Sequence, residues 1–350
     1  MALKEIKMTV MVVGIFIVVL ALALVIFYYW ASSSAGALPQ GKPSEIIVFP
    51  GPPEPPAQTS AQGEVFTVMT YNIGYLSGML NNLPIKTTKE FFEKNMQTAL
   101  QLLENVSPDF IGFQEIDFHS RRSFYVDQLQ TIAEKAGYKY AAVAVNWDKH
   151  YVPFPYWPPS AHFGRVLSGQ AVLSRRPILS AQRVVLEKPG SSPFYYNALY
   201  LDRLIQVVKI KIKERDIVIL NVHLEAFDPE TREKQAGKVL EMYRSFKDDY
   251  PVLVIGDFNC VPPDAAQKNN FSDEPGADFT GDGTIGLFLA EKSLSAAGPA
   301  VFTFPSDIPT RKLDHIFYNH DRITLIKSWA PGGIECSDHL PLVMQFSLKF

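Results

Sequence analysis

Two runs of this chain, Ile217-Val218-Ile219-Leu220 and Val252-Leu253-Val254-Ile255, are apolar at every position. Successive side chains of a strand point to opposite faces, so strands of this kind must be covered on both sides. Strand-like runs recur at 65–71, 110–114, 171–174, 206–212, 216–222, 252–255, 314–318, 324–329 and 340–347. Helical spacing appears at 88–104, 123–136, 231–246 and 285–295, with Phe91, Phe92, Met96, Leu100 and Leu103 tracing one face of the first. The runs 206–212 and 216–222 are joined only by a short polar turn, which makes them antiparallel neighbours. Strands and helices do not alternate strictly, so the pattern is that of an α+β sandwich and not of a doubly wound parallel sheet.

The chain has 350 residues, long for one domain but within what a two-layer sandwich can absorb. Its formal net charge is -3. It therefore lacks the overall basic field with which nonspecific nucleic-acid binders collect phosphates, although a local basic groove stays open.

Residues 8–29 are apolar except for Thr9, long enough to cross a bilayer as one helix. Lys4 and Lys7 precede this segment and the next basic residue is Lys42, which keeps the short N-terminus inside. Tyr28, Tyr29 and Trp30 fall where an interfacial aromatic belt belongs. Ala35-Gly36-Ala37 offers the competing reading of a cleaved signal peptide, but the apolar core is longer than the typical one, which favours a retained anchor. In either case the rest of the chain is exported. Residues 31–63, rich in Pro, Ser, Gly, Gln and Ala, read as a semi-extended tether, and 64–350 as the folded unit.

Polar groups stand at the ends of the apolar runs, where they are costly unless paired or bound to an ion. Asn72 follows Val68-Met69-Thr70-Tyr71, and Gln114-Glu115 follow Phe110-Ile111-Gly112-Phe113. His223 ends the 216–222 run, Gly256-Asp257-Phe258-Asn259 closes the 252–255 run, and Ser337-Asp338-His339 opens the last strand. Taken singly, each has a plain structural explanation as a turn residue, a surface acid or a satisfied core imidazole.

Taken in order, Tyr71-Asn72, Gln114-Glu115, Asn221-Val222-His223, Gly256-Asp257-Phe258-Asn259, Leu313-Asp314-His315-Ile316 and Ser337-Asp338-His339 resemble the endonuclease/exonuclease/phosphatase superfamily of DNase I-like nucleases, neutral sphingomyelinases and inositol-phosphate phosphatases. The resemblance covers essentially all of 64–350. It implies a four-layer α/β/β/α sandwich preceded here by one transmembrane helix (1–30), and a metal-dependent phosphodiesterase acting through in-line attack by water. It implies Glu115 as metal ligand with Asn72 completing or orienting the shell, and Mg²⁺, or alternatively Mn²⁺, as the ion. Asp257 matches the residue that positions or deprotonates water, Asn259 a donor to phosphoryl oxygens, and His223 a phosphate-binding histidine. His339 matches a histidine paired with an aspartate, for which Asp314 is the best candidate. Asp338 falls near the metal or the nucleophile. The general base is open between Asp257 and His339. The strand at 168–178 would bring Gly169 and Gln170 near the site, and Arg175 or Arg176 toward a phosphate.

Three readings follow. The favoured one is an exported, membrane-tethered, monomeric phosphodiesterase for a lipid or other small substrate, sphingomyelinase-like in its chemistry. A DNase I-like surface or secreted nuclease would need a basic strip that scattered Arg121, Arg122, Arg175 and Arg176 do not supply. A catalytically dead binding module predicts losses among the motif residues, and none is found. Three smaller expectations complete the reading. Cys260 and Cys336 could bond to each other in an oxidising compartment if the two runs converge, but packing as two small residues beneath the site is the favoured reading. The 278–283 stretch is a loop and not a calcium site, since Thr280 occupies the third position and Leu289 stands where the closing glutamate belongs. The aromatic, proline-broken 146–165 segment is either a rigid lid or lipid wedge, or a loop packed on its own sheet edge, with a slight lean to the latter.

Overall fold

The computed structural model describes residues 2–34, 44–50, 58–60, 63–213 and 215–349. Ala35-Gly36-Ala37, Lys42 and most prolines of the expected tether lie outside the described residues. The strands are β1 (Ser44–Val48), β2 (Gln58–Ser60), β3 (Gly63–Asn72), β4 (Phe110–Asp117), β5 (Tyr140–Val152), β6 (Gly164–Ser174) and β7 (Ile178–Val185). They continue as β8 (Leu204–Ile212), β9 (Arg215–His223), β10 (Val252–Asp257), β11 (Leu294–Ala296), β12 (Asp314–Asn319), β13 (Ile323–Trp329) and β14 (Leu342–Leu348). The helices are α1 (Ala2–Ser32), α2 (Lys89–Val106), α3 (Gln128–Ala136), α4 (Phe194–Asn197), α5 (Pro229–Arg244) and α6 (Thr284–Ala290).

The strands make two mixed sheets. One runs β1-β5-β6-β4-β3-β14-β13 with β2 on β3, and the other runs β11-β12-β10-β9-β8-β7. Between them lies an apolar layer that includes Val68, Phe110, Val172, Ile217, Ile219, Leu253, Ile255 and Met344. Outside the first sheet, α2 and α3 pack Phe92, Met96, Leu129 and Ile132 onto Met69, Ile111 and Leu173. Outside the second, α5 and α6 pack Val239, Leu240, Ile285 and Phe288 onto Val218, Val252 and Val254. This is the four-layer α/β/β/α sandwich that strands apolar on both faces require.

Local chemistry sets the element ends. Thr88, Asp127 and Asp228 cap α2, α3 and α5 by accepting from the backbone N–H three residues on. Several elements escaped the sequence pattern. β1 lies inside the stretch read as a tether: Ile46, Ile47 and Val48 pair antiparallel with β5, adding an edge strand before Glu64. β5 runs on to Val152, so the irregular part of the aromatic segment begins only at Pro153, where the first proline removes a donor. The helices expected over 123–136 and 285–295 are shorter, covering 128–136 and 284–290.

Among the described residues, one helix is long and apolar enough to cross a membrane, Lys4–Ser32, and its apolar window is unburied. Its last turn docks on β5, where Lys149 Nζ donates to the Ser32 carbonyl at 2.7 Å and Trp30 stacks on His150.

At the centre of the inter-sheet layer, Asn221 ties the sheets together. Gln114 Nε2 donates to its Oδ1 at 2.6 Å, and its own Nδ2 donates to Gln206 Oε1 at 3.0 Å and to the Phe113 carbonyl at 3.1 Å. All three side chains are fully buried. Asn221→Ala would strand the amides of Gln114 and Gln206, so we expect it to lower the unfolding free energy by about 3 kcal/mol, measured by denaturant titration of the detergent-solubilised chain. An unchanged midpoint would show that the ladder is not needed.

Candidate active site

Strand register aligns the site. In the second sheet Asp257 of β10 stands opposite His223 of the parallel β9 and Asp314 of the antiparallel β12. In the first sheet Asn72 of β3 stands opposite Gln114 of the parallel β4. Both parallel pairs therefore end at the same edge of the sandwich. Glu115 is turned out of the ladder by a bulge in β4, marked by the register shift against β6 and by its φ of +51°. Gly256 is required by packing: a Cβ there would lie 1.9 Å from the Val222 carbonyl oxygen.

Around this edge the side chains converge. Asn72 Nδ2 donates to Asp257 Oδ2 at 3.0 Å and reaches Glu115 Oε1 at 3.4 Å, while its Oδ1 accepts from Gly74 N–H. Asn72 thus aligns two carboxylates. His339 Nδ1 lies 2.9 Å from Asp314 Oδ2, and its Nε2 lies 3.8 Å from Asp257 Oδ2. His223 Nε2 stands 3.5 Å from the same Asp257 oxygen and 3.8 Å from Glu115 Oε1. Asn259 donates its backbone N–H to Asp257 Oδ1 at 2.8 Å and its Nδ2 to the Leu224 carbonyl at 3.0 Å. Asp338 receives Asn81 Nδ2 on both oxygens, at 3.2 and 3.0 Å.

The environment separates the charge states of these groups. Burial disfavours a charged His339, but Asp314 and then Asp257 overcome that and lift its pKa to about 10. Burial, with Arg203 and His339 nearby, pushes His223 well below its ordinary value, so this ring is neutral. Burial raises Asp257 to about 6, with Asp314 adding to the rise and His339 and the bonds from Asn72 and Asn259 opposing it. Burial also raises Asp338. The site therefore carries one imidazolium, one neutral imidazole and a basic carboxylate within a few ångströms.

Two places could hold a cation. Asp257, Asp314 and His339 offer atoms within 4.8 Å of one another. Yet the 2.9 Å spacing between His339 and Asp314 is a charge-assisted hydrogen bond, and an imidazolium has no lone pair for a metal. Glu115 fits better: it is partly open to the cleft, flanked by the amides of Asn72 and Asn81, and has Asp257 and Asp338 close by. A set of oxygen donors of this kind suits a hard divalent ion.

All eight residues expected from the sequence, Asn72, Glu115, His223, Asp257, Asn259, Asp314, Asp338 and His339, sit at this one edge. Sequence reasoning missed Asn81, which bridges Asp338 and Glu115 from a loop with no strand ahead of it to mark it. It also gave Arg203 no role and treated Arg122 only as a scattered cation; Arg203 is buried, Arg122 is half-buried, and both line the cleft. Arg122 is held bidentate by Asp117, at 2.9 and 3.0 Å, beneath the ring of Tyr75. Arg175 and Arg176 lie elsewhere: the first donates to the Pro108 carbonyl, the second pairs with Glu64. Gln170 lies under the site, donating to the Asn221 carbonyl, and Gly169 packs against the Ala144 carbonyl. Both cysteines are free and buried, Cys260 among the α5–α6 packing and Cys336 among the α2–α3 packing. Asp282 of the calcium-like stretch is taken by Arg232, whose Nε donates at 2.9 Å.

The cleft above these groups holds about 510 Å³ and reaches past Glu115, Asp257 and His339 to a wall of rings, among them Trp147, Phe154, Phe163, Tyr196 and Tyr200. The aromatic segment divides by residue: Phe154 and Phe163 pack on Trp147, Tyr75 and Val152, whereas Tyr156 and Trp157 project into solvent.

Residues 69–339 match the profile of the Endonuclease/Exonuclease/phosphatase family. Curated protein sequences gave no significant match. Similar solved structures include the human Nocturnin catalytic domain with bound sulfate anion, 19% identical, TM-score 0.54, with 87% of this chain and 97% of that one covered. A Bacteroides thetaiotaomicron mannosyl-6-phosphatase is 17% identical with TM-score 0.53, covering 81% and 100%. D. rerio TDP2 complexed with single strand DNA product is 13% identical with TM-score 0.52, covering 81% and 99%. At these identities the likeness is one of fold.

Removing the anion at Asp314 removes what favours a charged His339. In Asp314→Asn the His339 ring should titrate at least about two units lower, followed by its side-chain NMR signals across a pH series. A ring still charged above its ordinary range would mean that another group holds the proton.

Proposed function

The chain belongs to the endonuclease/exonuclease/phosphatase family, and from that premise we propose that it is a divalent-metal-dependent phosphodiesterase for a lipid or other apolar-bodied substrate, tethered by α1 with its folded unit on the outer side of a membrane. The observation that carries the chemistry is the triple approach of Asp257, His339 and His223 beside Glu115, at the base of an aromatic cleft.

Each residue has a distinct task in this reading. Glu115, aligned by Asn72, would hold the metal, and the bound ion would neutralise phosphate charge and polarise the phosphoryl oxygen. Asp257 accepts the proton of the attacking water, since its raised pKa makes it a better base than an exposed carboxylate. His339, kept charged by Asp314, directs its Nε2–H at the phosphoryl oxygen and stabilises charge as it develops. A charged His339 cannot also be the base, which favours Asp257 between the two candidates. Neutral His223 donates Nε2–H from the opposite side, and Asn259 fixes the orientation of Asp257 through its backbone N–H.

The substrate preference rests on the cleft and the anchor. Arg122 is neutralised by Asp117 and Arg203 lies against Glu225, so neither adds to a basic strip of the kind a nucleic-acid backbone uses. The wall above the site is aromatic, matched to an apolar body. Lys4 and Lys7 before the apolar segment support an N-terminus held inside.

The test is a panel: the full chain in detergent with Mg²⁺ or Mn²⁺, offered sphingomyelin, phosphatidylinositol phosphates, plasmid DNA and a chromogenic phosphodiester. We expect cleavage of a lipid and of the chromogenic diester, with Asp257→Ala lowering turnover about a hundredfold to ten-thousandfold. Cleavage of DNA alone would overturn the substrate class, and silence on every substrate would favour a binding module.

A further inference from the structure

The anchor and the cleft are joined through one strand. β5 receives the end of α1 at four consecutive residues: Asp148 accepts from Ser34 Oγ, Lys149 donates to the Ser32 carbonyl, His150 donates its N–H to the Ser33 carbonyl and stacks on Trp30, and Tyr151 meets Phe27 edge-on. Lys149 and His150 thus satisfy carbonyls left over at the helix C-terminus, and the Lys149 ammonium suits the negative end of its dipole. Ala31 is buried in this junction. The helix end is therefore held against β5 by these contacts.

The same strand braces both aromatic loops at the cleft mouth. Tyr151 hydroxyl lies 2.7 Å from His162 Nδ1, and His162 Nε2 lies 3.2 Å from the Tyr156 carbonyl, so the 153–163 loop is tied to the residue that touches Phe27. Four positions before Tyr151, Trp147 Nε1 donates to the Leu199 carbonyl at 2.8 Å and the Asn146 carbonyl accepts from Asp202 N–H, which holds the 193–202 loop. The tips of these loops carry Trp157 and Phe194, each 77% exposed, beside the exposed Tyr156 and Tyr195 at the cleft. Large rings left in water on two separate loops at one opening are unusual for a surface that stays wet.

We propose that this rim is a bilayer-docking surface: Trp157, Phe194, Tyr156 and Tyr195 enter the headgroup region of the same membrane that α1 spans, so the cleft opens onto that membrane and takes phosphoesters from it. Three features favour a bilayer over a protein partner. The junction follows directly on Tyr28, Tyr29 and Trp30, which mark where the apolar helix meets the interface. The β5 ties fix the loops to that junction. The rim residues are Trp, Tyr and Phe, the rings that settle at a membrane interface. The inference rests on reading α1 as a retained anchor, and it deepens the substrate class proposed above.

The test separates docking from catalysis. The full chain is reconstituted into vesicles of phosphatidylcholine and phosphatidylglycerol, with and without bromine on the acyl chains. The emission difference between the wild type and Trp157→Phe isolates Trp157. We expect brominated lipid to quench that difference about twofold, as for a ring at the acyl boundary. An unquenched Trp157 would overturn the proposal, whatever the activity. In a second arm, Trp157→Ser with Phe194→Ser, both outside the cleft lining, should lower turnover of vesicle-borne lipid about tenfold while leaving the soluble chromogenic diester unchanged. Equal loss on both substrates would assign these rings to folding and contradict the proposal. Quenching without turnover of either substrate by the wild type would leave the docking in place and refute the phosphoesterase reading.

Discussion

The two sheets meet across a hydrogen bond, Gln114 Nε2 to Asn221 Oδ1, buried completely and 2.6 Å long. The apolar layer presses the sheets together without direction, and this amide pair supplies the direction. It fixes β4 of one sheet against β9 of the other one residue before Glu115 and two before His223. The close approach has a steric condition as well. At Gly112 a Cβ would stand 3.0 Å from Asn221 Oδ1 and 2.7 Å from Ile255 Cδ1, so a larger residue would force the sheets apart beneath the site. An unmade bond here would leave amides in an apolar layer, which makes the register of the two sheets an all-or-none matter.

From that fixed register the electrostatics follow. Asp257 and Asp314 face each other across β10 and β12, a repulsive arrangement for two buried acids, and His339 lies against both. Its charge stabilises the pair, and the pair in turn holds its proton. His223, without a comparable partner for its Nδ1, is left neutral. Two histidines a short distance apart thus take opposite charge states from their surroundings alone. Such a separation of charge states is what acid–base chemistry on a phosphate ester requires.

The sequence made the strands and the site legible for the same reason. Runs such as 217–220 and 252–255 can only be double-covered strands, and polar residues that end such runs must converge where the strands end together. Asn72, Glu115, His223 and Asp257 could be found in this way. Asn81 could not, because it reaches the site from a loop, and loop positions follow from tertiary contacts and not from periodicity. β1 was hidden by the prolines around it, since its pairing with β5 is a long-range event with only Ile46, Ile47 and Val48 to signal it. The aromatic segment looked like one object, yet its rings serve two ends: Trp147, Phe154 and Phe163 fill a small core, while Tyr156 and Trp157 face outward. Aromatic composition alone could not assign them.

We propose a division of labour within one cleft: a metal held at Glu115, and a proton-bonded His339–Asp314 pair that holds none. Locating Mn²⁺ by its anomalous scattering in crystals of the chain grown with the ion tests this most directly. We expect a peak within coordination distance of a Glu115 carboxylate oxygen, with the His339–Asp314 contact kept. A peak between His339, Asp314 and Asp257, with the imidazole turned onto the ion, would contradict it.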